Sequence, residues 1–146
     1  MKKTLTALSL IAATAFAGAA QAEDEKKLVT VVTSPDAQTQ LMSMVLTMQS
    51  VQQGAKAQIL LCGPAGDLAL KEAPASATAP QKPKDMSPQG LMKMIMDKTG
   101  TKVEVCAIYL PNKGVGADAL LDGITAAKPD AMAGALIADN TTVLSF

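Results

Sequence analysis

Two cysteines, Cys62 and Cys106, are the side chains best suited to covalent chemistry in this 146-residue chain. Cys106 lies in the segment Val103 to Leu110, at the end of an apparent strand, and precedes a Lys-Gly pair, Lys113 and Gly114. Open α/β sheets bind their ligands at the carboxyl ends of parallel strands, which is where this pattern places the Cys106 thiol. Because the thiolate is a nucleophile, we predict sulfur chemistry at Cys106. The competing interpretation is a buried core thiol that packs as a small hydrophobic residue.

Cys62 also ends an apparent strand, on the same predicted edge as Cys106. Three interpretations stay open for it: a core residue, a disulfide partner of Cys106, or a resolving thiol. A disulfide requires Cα atoms about 4.4–6.8 Å apart, which neighbouring strands supply only in the right register. The two cysteines do not form a Cys-x-x-Cys motif, which disfavours a thiol-disulfide oxidoreductase.

Lys113 and Gly114 are candidate substrate-binding residues beside Cys106. A nearby ammonium group and the amides that lead into a helix lower the pKa of a thiol from its usual value of about 8.5, and they favour an anionic sulfur. The alternatives are a solvated turn lysine at 113 and a turn glycine with positive φ at 114.

The composition excludes several classes of function. The chain has 13 lysines, 13 acidic residues, no arginine and no histidine. Without histidine there is no Ser-His or Cys-His catalytic pair and no imidazole metal site. The sequence has no basic face and few aromatic residues, so we predict no nucleic-acid partner. The acidic residues are scattered, and we therefore predict no metal and no cofactor.

The methionines raise one metal hypothesis. Met44 with Met48, and Met92 with Met96, are helical i, i+4 pairs whose thioethers suit copper(I). Each pair also lies on the apolar stripe of its predicted helix, where methionine is an ordinary packing residue. We therefore favour core packing for both pairs.

Residues 1–22 have the features of a secretory signal peptide. Two lysines precede a short apolar run over 8–17, and the small-x-small sequence Ala20-Gln21-Ala22 precedes an acidic stretch. We predict cleavage there, export to the periplasm, and a single mature domain over 23–146 with no membrane association. The alternative is an uncleaved membrane anchor, although the apolar run is short for a bilayer.

The hydrophobic patterns of the mature chain predict alternating strands and helices. Ser-Pro pairs at Ser34 and Ser87 are typical helix starts, and Gly54 and Gly100 are typical helix ends. Two further helices are predicted, one after Gly114 and one from Pro129. The predicted strands cover 28–33, 57–62, 101–108 and 141–146.

This order predicts a three-layer α/β/α sandwich with a mainly parallel sheet of four or five strands. Residues 71–86 are rich in Pro and Ala, and their prolines predict a mobile loop without regular structure. Residues 68–70 are a candidate for one more short strand, which the sequence does not settle.

The segment Gly100 to Cys106, followed by Leu110 and by Lys113-Gly114-Val115, resembles the DsrE/DsrF-like family of TusD/DsrE sulfur-relay proteins. The family has a strand, a cysteine, a short stretch and a basic-Gly-Val turn at this place. The resemblance implies a small α/β sandwich, usually oligomeric. It also implies that Cys106 carries sulfane sulfur as a persulfide and passes it to a partner.

Two functions of different classes follow from these observations. The first is an exported, sulfurtransferase-like relay protein that uses Cys106, with a protein sulfur donor or acceptor and a homo-oligomeric state. The second is a non-catalytic DsrE-like binding or assembly module in which the thiol only packs.

Overall fold

Five parallel strands form a single sheet in the computed structural model, which describes residues 25–146. The predicted signal peptide lies outside these residues. The strands are β1 (Lys27–Val32), β2 (Lys56–Leu61), β3 (Lys102–Val105), β4 (Thr125–Ala126) and β5 (Thr141–Ser145). They are hydrogen-bonded in the order β4-β3-β2-β1-β5, and every pairing is parallel.

Helices cover both faces of this sheet, which confirms the predicted α/β/α architecture. The residues of α1 and α3 pack in the larger core cluster, and those of α5 pack in the smaller cluster on the opposite face. The α-helices are α1 (Ala37–Gln52), α2 (Ala75–Thr78), α3 (Pro88–Thr99), α4 (Tyr109–Lys113) and α5 (Pro129–Leu136).

Local capping explains where α1 and α3 begin and where α3 ends. The Asp36 carboxylate accepts the Thr39 N–H at 2.8 Å, and this hydrogen bond lowers the pKa of Asp36. The N-cap of α1 is therefore Asp36, and the predicted start at Ser34 is wrong by two residues. Ser87 caps α3 as predicted, and Gly100 ends that helix with φ 68.

The larger core cluster lies between the sheet and the helices α1 and α3. Ile59, Leu61 and Val103 point into it from the strands, and Met44 and Met92 fill it from the helices. All five side chains are fully buried. These positions agree with the packing interpretation of the methionines.

The face of α1 that contacts β1 is more polar than its sequence pattern predicts. The hydroxyl groups of Thr30 and Thr47 are 2.7 Å apart, and Thr47 donates to the Ser43 carbonyl at 2.8 Å. Thr47 therefore accepts its hydrogen bond from Thr30. The buried hydroxyls of Thr30 and Thr47 are both hydrogen-bonded, as buried polar groups generally are.

Several sequence predictions fail between the third and fifth strands. Strand β3 ends at Val105, so residues 106–108 form a turn and not the predicted strand end. The helix predicted after Gly114 is replaced by a 3-10 turn at Ala117–Ala119 and by β4. The two residues of β4 pair with Glu104 and Val105, the last two residues of β3.

The segment that follows β2 is also more regular than predicted. A 3-10 helix spans Gly63–Ala69, so residues 68–70 are not an additional strand; Leu70 makes only an isolated bridge to Leu120. Within 71–86, the helical turn α2 and a bridge between Gln81 and Met86 replace the predicted absence of regular structure. Pro74 is compatible with α2 because it stands at the N-cap, where its fixed φ costs nothing.

Candidate functional site

Cys62 and Cys106 meet at the carboxyl edge of the sheet. Strands β2 and β3 are neighbours, and Leu61 is paired with Val105 at the end of the ladder. The next residue on each strand is a cysteine, and the two form a disulfide with Cα atoms 5.1 Å apart. The two cysteines thus lie on one edge of the sheet, and the bond between them is compatible with Cys62 as a disulfide partner or as a resolving thiol.

Backbone hydrogen bonds fix both cysteines independently of the bond between their sulfur atoms. The Cys62 N–H donates to the Val32 carbonyl at 2.9 Å, and the Cys106 N–H donates to the Leu61 carbonyl at 2.8 Å. The carbonyl of Cys106 accepts the N–H of Tyr109 at 2.8 Å. These bonds belong to the sheet and its first turns, and none of them involves a sulfur atom.

Both cysteines lie at the margin of the hydrophobic core. Each is half-buried and packs against the smaller cluster beneath α5, whose buried members are Val29, Leu60, Ala127 and Met132. Ala107 and Ile108, which follow Cys106 directly, are exposed. Cys106 is therefore partly exposed and bonded to Cys62, and it differs in both respects from the buried core thiol of the competing interpretation.

A hydrogen-bonded triplet joins the two segments that follow the cysteines. Asp67 lies in the 3-10 helix after Cys62, and Tyr109 and Lys113 lie in α4 after Cys106. Asp67 Oδ1 accepts the Tyr109 hydroxyl at 2.6 Å and the Lys113 Nζ at 2.7 Å. The triplet thus crosslinks the same two loops as the disulfide.

Burial and charge alter the acidity of Tyr109. Its side chain is buried, and this desolvation, together with the adjacent Asp67 carboxylate, raises the pKa of Tyr109 well above its usual value. Gly66 lets the ring lie directly against the backbone, since a Cβ at this position would overlap the ring atoms. The phenol is consequently a hydrogen-bond donor throughout the neutral range.

The structure places Lys113 and Gly114 at the end of α4. The Lys113 ammonium is bound to Asp67, so its charge is directed at that carboxylate. Gly114 has φ 73 and its N–H bonds to the Leu110 carbonyl at 3.0 Å, which fits the simpler interpretation as a turn glycine. Their predicted contact with a substrate stays a prediction.

A second charged group lies on the same face of the sheet as the cysteines. It is Glu104, which stands two residues before Cys106 and whose side chain is buried. Its carboxylate accepts Gln58 Nε2 at 2.7 Å and Lys102 Nζ at 2.8 Å. The buried charge is therefore paired, as a carboxylate in the interior requires.

Asp67 and Tyr109 are the site residues that sequence reasoning missed. Both belong to segments that directly follow a cysteine-bearing strand. This position could have identified them from the sequence, because segments that follow parallel strands lie at the carboxyl edge of the sheet, where the cysteines are. No local sequence pattern predicts the hydrogen bond between them, because the two residues are 42 positions apart in the chain.

No cluster of three or more Cys, Asp or Glu side chains within residues 25–146 is arranged to hold a metal ion. In the same range, no helix combines the length and apolar character that crossing a membrane requires.

Two solved structures resemble this arrangement of sheet and helices. The YchN protein from E. coli superposes with a TM-score of 0.62 at 20% identity, covering 84% of this chain and 99% of that one. The protein of unknown function MTH1491 from Methanobacterium thermoautotrophicum gives a TM-score of 0.59 at 9% identity, covering 84% of this chain and 100% of that one. The chain has a DsrE-like fold.

This DsrE-like fold is what the structural likeness establishes. No family model matches the chain, and no curated protein matches it in sequence. Since one fold supports many functions, activity has to be argued from the cysteine site.

Proposed function

We propose that this protein is a sulfane-sulfur carrier in which reduced Cys106 accepts the sulfur as a persulfide. The observation that carries the proposal is the half-buried cysteine pair at the carboxyl edge of a DsrE-like parallel sheet. This edge is where α/β folds bind their ligands. Of the two cysteines, we choose Cys106 because the resemblance to the DsrE/DsrF-like family aligns it with that family's sulfur-carrying cysteine.

The proposed transfer conserves atoms and electrons. The Cys106 thiolate attacks the outer sulfur of a donor persulfide, R–S–SH, and the bond between the two donor sulfurs breaks. The products are the donor thiol, R–SH, and a persulfide on Cys106. Attack by one sulfur on another follows the same rules as disulfide exchange. The reaction requires the dithiol form, because the disulfide occupies the sulfur of Cys106.

A direct test uses glutathione persulfide as the donor and intact mass as the readout. The protein is reduced, freed of reductant and exposed to the donor as two matched variants, Cys62→Ala and Cys106→Ala. We expect Cys62→Ala to gain the mass of one sulfur atom and Cys106→Ala to stay unmodified. Equal labelling of both variants, or labelling of neither, contradicts the proposal.

The disulfide itself favours the second candidate, a DsrE-like binding or assembly module. In that case the Cys62–Cys106 bond only stabilises the fold, as disulfides do in small exported domains. The mass experiment separates the two functions, since a structural module takes up no sulfur after reduction. The same module should retain its partner binding when both cysteines are replaced by alanine.

The cellular setting is part of the same proposal. We infer an exported protein that acts in the periplasm after cleavage at residue 22, exchanges sulfur with a partner protein and forms a homo-oligomer. An oxidising compartment is compatible with the disulfide. Fractionation of cells followed by the intact mass of the recovered chain tests export and cleavage, and light scattering of the purified protein tests the oligomeric state.

A further inference from the structure

We propose that Cys62 is a resolving thiol that discharges the Cys106 persulfide and releases sulfide. This inference rests on the proposed function, because it requires that Cys106 first accepts a sulfane sulfur. It adds a second activity to the site, in which the two thiols are oxidised and the bound sulfur is reduced. The disulfide present in the structure is then the product state of this reaction.

The strand register brings the attacking and accepting cysteines side by side. Cys62 and Cys106 follow the last paired residues of adjacent strands, and their Cα atoms are 5.1 Å apart. The disulfide joins the sulfur of Cys62 directly to the sulfur of Cys106. The latter atom is the inner sulfur of a Cys106 persulfide, which is the atom that a resolving thiol attacks.

Three sets of contacts hold the reduced pair in this arrangement. The sheet fixes both amides, through Val32 for Cys62 and Leu61 for Cys106. The Tyr109 N–H fixes the Cys106 carbonyl at 2.8 Å. The bond from Tyr109 to Asp67 then holds the following loops together without any contribution from sulfur.

This fixed proximity makes resolution an intramolecular reaction. Two groups held in near-attack geometry react as if one group were present at a very high concentration around the other. The entropy cost of bringing them together has already been met by folding. A thiol of a partner protein lacks that advantage and reaches Cys106 only by diffusion and docking. Resolution by Cys62 therefore competes with transfer to a partner whenever Cys106 carries a persulfide and Cys62 is a free thiol.

The Cys62 thiolate attacks the inner sulfur of the Cys106 persulfide, and the bond between the inner and outer sulfur breaks. The outer sulfur leaves as hydrosulfide and takes the electron pair of that bond. The two cysteine thiols are oxidised to the disulfide, and the sulfane sulfur is reduced to sulfide. A dithiol reductant then returns the pair to its starting state by thiol-disulfide exchange.

The test follows sulfide and protein mass after reduced, reductant-free protein receives one equivalent of glutathione persulfide. We expect the unmodified protein to release one sulfide per chain and to end two hydrogen atoms lighter than its dithiol form. Cys62→Ala should instead keep the added sulfur and release no more sulfide than a variant that lacks both cysteines. Cys62→Ser serves as a second variant that preserves a small polar side chain.

The outcomes separate this inference from the function on which it rests. If the unmodified protein holds a stable sulfur adduct and releases no sulfide, the resolving role is wrong, although Cys106 remains a carrier. If neither the unmodified protein nor Cys62→Ala ever gains sulfur, the proposed function and this inference both fail. After re-reduction and removal of the reductant, a second equivalent of donor should again release sulfide from the unmodified protein but not from Cys62→Ala, which would support the complete cycle.

Discussion

Tyr109 donates its phenolic hydroxyl to Asp67 Oδ1 across 2.6 Å, and this bond joins the segment after Cys106 to the segment after Cys62. The disulfide makes the same connection through covalent chemistry. The site therefore has two crosslinks between the same loops, of which only one responds to reductant. This redundancy lets the sulfur bond open while the loops that carry the cysteines stay together.

The raised pKa of Tyr109 predicts a pH-dependent stability. A pKa that is higher in the folded state stabilises the protein fully below the unfolded value of about 10, and the contribution is lost as the pH rises toward the folded value. Tyr109→Phe should lose about 1 kcal/mol of unfolding free energy at neutral pH and decline less steeply in alkali. Urea denaturation at several pH values measures both effects.

The single tyrosine of the chain provides a control for this prediction. Near-ultraviolet absorbance of the phenolate reports Tyr109 alone, and in the folded protein it should develop only above pH of about 10. Asp67→Asn should lower the pKa of Tyr109 without restoring the usual value, because burial is the largest cause of the shift. An unchanged titration in Asp67→Asn would show that the carboxylate has no part in it.

The Asp67 crosslink should also affect closure of the disulfide. Asp67→Asn weakens the bonds to Tyr109 and Lys113, so the two loops separate more easily in the reduced protein. If the weakened bonds cost the disulfide form about 1 kcal/mol relative to the dithiol form, the equilibrium between the two in a glutathione buffer should shift roughly fivefold toward the dithiol. Lys82→Ala removes a remote, exposed ion pair with Asp85 and should leave this equilibrium unchanged.

Reduction should destabilise the protein without unfolding it. The disulfide spans 44 residues, and the loss of chain entropy in the unfolded state predicts a contribution of about 4 kcal/mol at most. We expect the free energy of unfolding to fall by about 2–4 kcal/mol on reduction, measured by urea denaturation with and without reductant. Replacing both cysteines by alanine should abolish the response to reductant, and complete unfolding on reduction would argue against a working dithiol form.

The hydroxyl pair between β1 and α1 should behave as a coupled unit. Thr47→Val leaves the buried Thr30 hydroxyl without its acceptor and should cost about 1–3 kcal/mol. Replacing both threonines by valine should cost less than the sum of the two single changes, as a double-mutant cycle would reveal. Ser50→Ala, a more exposed hydroxyl on the same helix, should change stability by less than about 0.5 kcal/mol.

Close packing of the Tyr109 ring on Gly66 predicts a steric effect. A methyl group in Gly66→Ala overlaps the ring, so the ring or the 3-10 helix has to move, at a cost of about 1–3 kcal/mol. Gly134→Ala is the matched control, because its added methyl group meets no neighbour within 4 Å. Equal stability of the two variants, compared by thermal denaturation, would argue against tight packing at Gly66.

The arrangement of layers could be predicted from local patterns. The β-branched run over 28–33, the Ser-Pro start at Ser87 and the helix-ending Gly100 each act through their own backbone preferences. The predicted secondary structure is wrong where the local sequence pattern is weak and tertiary packing decides the conformation. Residues after Cys106 turn into α4 because Tyr109 and Leu110 are buried there, and their apolar character alone resembled a longer strand.

The sequence by itself determined that two cysteines end strands on one edge of a parallel sheet, because helical connections bring the carboxyl ends of such strands to the same side. Only the tertiary structure decided that β2 lies beside β3 with Leu61 opposite Val105, which brings Cys62 to Cys106. The pairing of Asp67 with Tyr109 has the same origin. Periodicity reports which side of an element is apolar, whereas strand neighbours and register depend on how all the elements pack at once.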